Sequence, residues 1–93
     1  MRLRLTPRAE SELVEIASYL VVRNPHGAKR VEEALQEAFD LIASYPEVGR
    51  KLGDGVRRFA LPRYPYLIFY RIREAGDEVD VFTVRHAARR EER

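Results

Sequence analysis

Hydrophobic residues in the first half of the chain recur at the spacing of two amphipathic helices. Residues 13–21 and residues 31–42 both place apolar side chains at i, i+3, i+4 and i+7, which predicts one apolar stripe on each helix. Thr6 and Asn24 each precede a proline, which is typical of a helix start because the first helical position needs no N–H donor. The second helix is expected to end at Tyr45, which also precedes a proline and therefore avoids the helical region. The short connection predicts an antiparallel helical hairpin.

The pattern changes to the period-two alternation of β-strands at the two ends of the chain. Residues 2–5 alternate polar and apolar side chains and predict a short first strand. Residues 56–61, 66–73 and 79–85 predict three further strands, and an Ala-Gly-Asp turn between the last two makes them a hairpin. Residues 47–54 contain two glycines and few apolar anchors, so we interpret them as a loop.

The order of these elements defines the fold class. The order β-α-α-β-β-β predicts a single α+β domain over residues 1–93, in which the helical hairpin packs on one side of an antiparallel sheet. The first strand is expected to pair with one of the later three. If Ile68, Tyr70 and Ile72 face the helices, Leu67 and Phe69 face outward; the opposite assignment of faces also fits the pattern.

Composition narrows the chemistry that the chain can perform. The 93 residues are 45% apolar and 34% charged, as in a globular domain, and no apolar run approaches the roughly 20 residues of a membrane helix. No apolar signal segment is present near Met1, so we expect a cytoplasmic protein without membrane contact. Cysteine is absent and the two histidines, His26 and His86, are far apart. We therefore expect no metal site and no cofactor.

Basic residues are concentrated in the second half of the chain. Residues 1–49 hold six Lys or Arg against eight Asp or Glu, whereas residues 50–93 hold eleven against seven. Of the 17 basic residues 15 are arginine, whose planar guanidinium suits bidentate contacts with carboxylate or phosphate. Several arginines are candidates for a basic surface on the side of the sheet that the helices leave uncovered; the alternative is an ordinary solvated face. They are Arg57, Arg58, Arg63, Arg71 and Arg73.

Histidine and tyrosine side chains near the predicted sheet admit both functional and structural interpretations. His86 is a candidate proton donor or target contact, but a lone histidine at a strand end more commonly serves packing. Tyr64, Tyr66 and Tyr70 are candidates for a surface on which bases stack. The structural alternative buries Tyr66 and Tyr70 in the core with their hydroxyls at its rim.

Six segments along the chain have the order and spacing of a known family. They are residues 5–10 (Leu-Thr-Pro-Arg-Ala-Glu), 13–20, 24–28, 41–50, 66–72 and 84–89. Together they resemble the RelE/ParE superfamily of toxins from type II toxin-antitoxin systems. The aliphatic and aromatic strand over residues 66–72, followed by Val84-Arg85-His86, is closer to the ParE branch.

The resemblance implies a toxin of the β-α-α-β-β-β fold that is made beside an antitoxin. A ParE-like toxin is not an enzyme: it is expected to inhibit DNA gyrase by binding, and a ParD-type antitoxin neutralises it by folding a disordered segment onto it. The RelE-like alternative is a ribosome-dependent endoribonuclease that cleaves mRNA. A third hypothesis is a basic module that binds nucleic acid directly, although the net charge of only +2 and the lack of a recognition helix weigh against it.

One position separates the ParE-like and RelE-like interpretations. RNA cleavage by attack of a 2′-hydroxyl needs a base, an acid and a cation for the phosphorane charge, and RelE-like proteins take that cation from an arginine early in the central strand. Leu67 occupies the corresponding position here, and Arg71, on the same face, is about 13 Å away at strand rise. RelE-like catalysis would then depend on Arg50, Lys51, Arg71 and His86.

The ParE-like interpretation assigns two sets of contacts. Candidates for the target are Arg57, Arg58, Arg63, Arg71, Arg73, Arg85, His86, Arg89 and Arg90. Candidates for the antitoxin are Leu67, Phe69, Arg71 and Arg73. Outward apolar side chains favour antitoxin docking because a partner would remove them from water. Residues 87–93 form a polar tail, which we predict is needed for growth inhibition and dispensable for antitoxin binding.

Overall fold

Two helices pack against one side of a five-stranded sheet. A computed structural model describes residues 1–88 of the chain. Its elements are β1 (Arg2–Leu5), α1 (Pro7–Arg23), α2 (Pro25–Ser44), β2 (Arg50–Gly53), β3 (Val56–Ala60), β4 (Tyr66–Arg73) and β5 (Glu78–His86). The two-layer α+β class predicted from the sequence is confirmed.

Local capping interactions determine where the helices begin. The Thr6 side-chain oxygen accepts a hydrogen bond from the Ala9 N–H at 3.1 Å, and the Asn24 side chain accepts one from the Gly27 N–H at 2.9 Å. Each cap is followed by a proline that needs no N–H partner. α2 ends at Ser44, immediately before Tyr45. The helix boundaries predicted from capping and proline are confirmed.

The interpretation of residues 47–54 as a loop is wrong. A single 3₁₀ turn at Pro46–Val48 leads into β2, which pairs antiparallel with β3 through a turn around Asp54. All four β2 residues are exposed, so no alternation of apolar side chains marks the strand. Backbone pairing with β3 forms it, and the element order becomes β-α-α-β-β-β-β.

The strands lie in the order β1-β5-β4-β3-β2. All neighbouring pairs are antiparallel except β1 and β5, which run parallel, with Leu3 opposite Val79 and Leu5 opposite Val81. The sequence predicted an antiparallel sheet, and the parallel pairing of β1 with β5 corrects that prediction. The expected pairing of β1 with a later strand is confirmed, and the partner is β5.

The core lies between the helices and one face of β4 and β5. Ile68 and Tyr70 of β4, Val81 of β5 and Ile42 of α2 are fully buried. Tyr66 is also buried, as its core interpretation predicted. Neither helix within residues 1–88 is long and apolar enough to cross a membrane.

Candidate functional site

The face of the sheet opposite the helices, which we call the outer face, carries a small apolar and aromatic centre. Leu67 and Phe69 alternate with the fully buried Ile68 and Tyr70 along β4, so they point away from the helices and are half-buried. The conditional prediction that these two residues face outward is therefore confirmed. Phe82 of β5 joins them, with its ring centroid 6.5 Å from that of Phe69.

Arginines surround these apolar side chains. We call the apolar centre and its arginines together the aromatic end of the outer face. The guanidinium carbon of Arg71 lies 5.5 Å from the Phe82 ring centroid, and that of Arg85 lies 5.4 Å from the Phe69 centroid, both within cation–π range. Arg58 lies opposite Phe69 in the ladder between β3 and β4. Among the described residues, Arg58 and Arg71 form no ion pair with a carboxylate. The aromatic end thus combines apolar area with positive charge.

The other part of the outer face, which we call the ion-pair end, is a network of charged side chains. Glu78 bonds to the guanidinium groups of Arg2 and Arg73, each at 2.5 Å, and Asp80 lies 3.0 Å from Arg73 and 3.5 Å from Arg4. Hydrogen bonds from Arg2 and then Arg73 lower the pKa of Glu78. The bond to Glu78, with Asp80 nearby, raises the pKa of Arg73. These charges are compensated within the fold.

Arg57, predicted to share the outer face, lies on the opposite side of the sheet. It donates hydrogen bonds to the carbonyl oxygens of Glu47 at 3.1 Å and Gly49 at 2.8 Å. The Tyr70 hydroxyl holds the same segment, donating to the Pro46 carbonyl at 2.6 Å and accepting from the Gly49 N–H at 2.8 Å. Burial raises the pKa of Tyr70. The predicted gathering of Arg57 with the other arginines is therefore wrong: Arg57 anchors the chain that enters β2.

Arg63 is also separate from the outer face. It is exposed in the segment between β3 and β4 and lines a shallow groove against α2 with Arg30 and Glu33. Of the five arginines predicted to gather, Arg58, Arg71 and Arg73 share the outer face and Arg85 joins them. Arg89 and Arg90, together with most of the predicted tail, lie outside the described residues.

The four residues proposed for RelE-like catalysis do not form one group. Arg50 lies opposite Arg58 and shares the outer face, as does Arg71. Lys51 lies opposite Arg57 on the other side of the sheet. His86 lies opposite the buried Tyr66, five residues along β4 from Arg71, or about 16 Å at strand rise.

His86 has contacts that fit its structural interpretation. Its ring meets the Tyr66 ring edge-on, at 5.4 Å between centroids and an interplanar angle of 81°. Its Nδ1 accepts a hydrogen bond from the Ala88 N–H at 3.1 Å. Within residues 1–88, no group of three or more His, Asp or Glu side chains is arranged to hold a metal ion.

Comparison with known proteins identifies the family. Residues 3–91 match the family described as the ParE toxin of the type II toxin-antitoxin system parDE. The chain belongs to the ParE toxin family. It is 38% identical over 87 residues to Y4kP of Sinorhizobium fredii, covering 92% of this chain and 88% of that protein. It is 37% identical over 84 residues to Toxin RelE2 of Caulobacter vibrioides, covering 90% and 92%.

Solved structures of the wider superfamily share the fold of this ParE-family toxin. A chain of the chromosomal ParDE system from P. aeruginosa superposes with a TM-score of 0.77 at 24% identity, covering 92% of this chain and 95% of that one. The isolated E. coli RelE toxin superposes with a TM-score of 0.72 at 22% identity, covering 97% and 87%. At these identities the likeness concerns the fold.

Phe82 is the residue of the aromatic end that was not singled out from the sequence. Simple alternation from Val79 and Val81 does put Phe82 on the outer face. The same alternation, however, puts Arg85 inside with Val81 and exposes Val84. In the structure Val84 is buried and Arg85 faces outward. The reason is an irregularity in the strand that the sequence does not mark.

Proposed function

We propose that this ParE-family toxin inhibits DNA gyrase by binding to it through the aromatic end of the outer face. The observation that carries the proposal is the combination of Leu67, Phe69 and Phe82 with three surrounding arginines. Half-buried aromatic side chains supply contact area, and neighbouring arginines supply charge-assisted hydrogen bonds. Aromatic and arginine residues are also the types most enriched at binding hot spots.

Binding is favoured over RNA cleavage by the distribution of the candidate catalytic groups. General acid-base catalysis needs a proton donor within hydrogen-bond reach of the scissile group. His86 and Arg71 are about 16 Å apart along the sheet, and the Nδ1 of His86 already accepts the Ala88 N–H. Leu67, which takes the position of the RelE arginine, contributes apolar area in place of charge.

The cognate antitoxin, which the family membership implies, is proposed to cover the same surface. A ParD-type segment that folds on the toxin would bury Leu67 and Phe69 and pair acidic side chains with Arg71. Arg73, the fourth candidate for this contact, is already engaged with Glu78 and Asp80 and is expected to contribute less. Occupation of the outer face by the antitoxin would then exclude the target.

A paired assay tests the proposed target. Purified toxin is added to a DNA gyrase supercoiling reaction and, in parallel, to a translating ribosome extract that contains labelled mRNA. We expect inhibition of supercoiling with intact mRNA, and we expect the Phe69→Ala variant to lose that inhibition. Val22→Ala is a matched control because Val22 is 78% exposed on α1, away from the outer face. Cleaved mRNA with unaffected supercoiling would overturn the proposal.

A RelE-like ribonuclease is the second candidate function, favoured by the name of the Caulobacter relative, Toxin RelE2. Arg50 and Arg71 share the outer face and supply two cations for a phosphate group. The ribosome arm of the same assay tests this function. Cleavage that is lost in Arg71→Ala and retained in Arg73→Ala would support it.

A further inference from the structure

A β-bulge in β5 determines which side chains reach the outer face. Phe69 of β4 lies opposite Thr83, but the next residue, Tyr70, lies opposite Val81, so Phe82 is an extra residue in β5. Before the bulge, Val79 and Val81 point to the helices; after it, Val84 does. Because a shift of one residue exchanges the two faces of a strand, the bulge turns Arg85 outward and Val84 into the core.

α1 and its N-cap Thr6 form hydrogen bonds with β5 at and beside this bulge. The Glu12 carboxylate oxygen Oε1 accepts hydrogen bonds from the Thr83 hydroxyl at 2.8 Å and from the Val84 N–H at 2.9 Å. At the preceding residues, the Thr6 N–H donates to the Val81 carbonyl at 3.0 Å. The Thr6 hydroxyl donates to the Phe82 carbonyl at 3.3 Å. The Thr6 N–H continues the parallel ladder between β1 and β5, whereas the Glu12 carboxylate and the Thr6 hydroxyl bond the part of β5 beyond the end of β1.

The charge state of Glu12 agrees with this role. Burial by itself raises the pKa of Glu12, but the hydrogen bonds from Val84 and Thr83 and the nearby Arg8 outweigh that effect and lower the pKa. The carboxylate is therefore ionised at neutral pH and is a strong acceptor for both bonds.

We propose that Glu12 and Thr6 are positioning residues that hold the β5 bulge and thereby set Phe82 and Arg85 on the toxin's target-binding face. That this face binds a target rests on the proposed gyrase inhibition. The role of Glu12 in holding the bulge does not: without Glu12, the Thr83–Val84 segment loses its acceptor, and the alternative regular register turns Arg85 towards the helices. Glu12 contacts no target itself and acts through the strand.

Three substitutions in the full chain test the proposal. Glu12→Ala removes the acceptor, Glu12→Gln keeps an acceptor oxygen without the charge, and Glu15→Ala removes an exposed α1 carboxylate that faces solvent. Gyrase inhibition is measured together with NMR contacts between the Phe69 and Phe82 rings. We expect Glu12→Ala to lose the ring contacts and to inhibit about tenfold less, about 1.4 kcal/mol. Glu12→Gln should stay within about threefold of the unsubstituted toxin, and Glu15→Ala should be unchanged.

The ring contacts test the role of Glu12 at the bulge, and gyrase inhibition tests the function proposed for the outer face. If the unsubstituted toxin fails to inhibit gyrase, loss of the Phe69–Phe82 contacts in Glu12→Ala still supports the bulge assignment. Retention of those contacts and of full inhibition in a folded Glu12→Ala variant would overturn it. Thr83→Val is a second test in case Glu12→Ala does not fold, because it removes one of the two hydrogen bonds to Glu12 while the Val84 N–H keeps the other. It should weaken the ring contacts partially, and unaltered contacts would count against the proposal.

Discussion

The two ends of the outer face use arginine in opposite ways. At the ion-pair end, Arg73 is bonded to Glu78 and lies 3.0 Å from Asp80, so its charge is compensated within the fold. At the aromatic end, Arg71 lies over the Phe82 ring and forms no ion pair with a carboxylate of the described residues. A partner's acidic group would gain more from the second arrangement, because Arg71 would give up a 3.4 Å hydrogen bond to the Asp54 carbonyl, whereas Arg73 would give up bonds to two carboxylates. The neighbours of an arginine, and not the number of arginines, distinguish the surface proposed for binding.

The largest expected effect comes from removing the centre of the aromatic end. Phe69→Ala deletes the ring beneath Arg85 and beside Phe82. We expect the toxin concentration that half-inhibits gyrase to increase by about 30-fold or more, the effect of losing an aromatic hot spot of about 2 kcal/mol. Circular dichroism would establish that the variant is folded. An equal loss in the Val22→Ala control would show that the effect is not specific to this end.

Removing one arginine from each end of the outer face gives a smaller effect, but it distinguishes the two ends. Arg71→Ala should weaken gyrase inhibition about tenfold, whereas Arg73→Ala should change it by less than about threefold. Arg73→Ala should instead decrease the unfolding temperature, because Glu78 and Asp80 lose a shared partner. Inhibition titrations and thermal unfolding of both variants measure these differences. The reverse ranking in inhibition would contradict the contrast between the two ends.

The smallest expected effect is the pH dependence of stability at the ion-pair end. The lowered pKa of Glu78 means that its carboxylate stabilises the folded state above the unfolded pKa of about 4.3. That contribution is lost as the pH decreases through the folded-state pKa. The difference in unfolding temperature between the unsubstituted toxin and Glu78→Gln should therefore shrink between about pH 7 and about pH 3.

Phe69→Ala serves as the comparison for this measurement, since the Phe69 ring carries no ionisable group. Its effect on the unfolding temperature should vary much less over the same range of pH. A Glu78→Gln difference that stays constant with pH would mean that the network contributes nothing to stability through ionisation.

Much of the candidate site was predictable from alternation within one strand. Alternation placed Leu67 and Phe69 on one face of the strand and Ile68 and Tyr70 on the other, because period two is a local property of an extended chain. Which face points outward was left open by the sequence and was decided by the burial of Ile68 and Tyr70. The placement of Arg57 was not predictable. It lies on the same side as Phe59 and donates to Glu47 and Gly49, a contact between segments whose register the sequence alone does not state.

The sequence by itself determined the helical hairpin and the two-layer architecture. Capping residues, prolines and apolar spacing act within a few residues of one another, so their signal is local. Only the tertiary structure decided that Arg50–Gly53 is a strand, that β1 runs parallel to β5, and that the bulge turns Arg85 outward. Each of these depends on backbone hydrogen bonds between distant segments, and backbone groups are the same for every residue type except proline. The side-chain pattern therefore describes the layers of this toxin, while strand pairing decides which charges share its outer face.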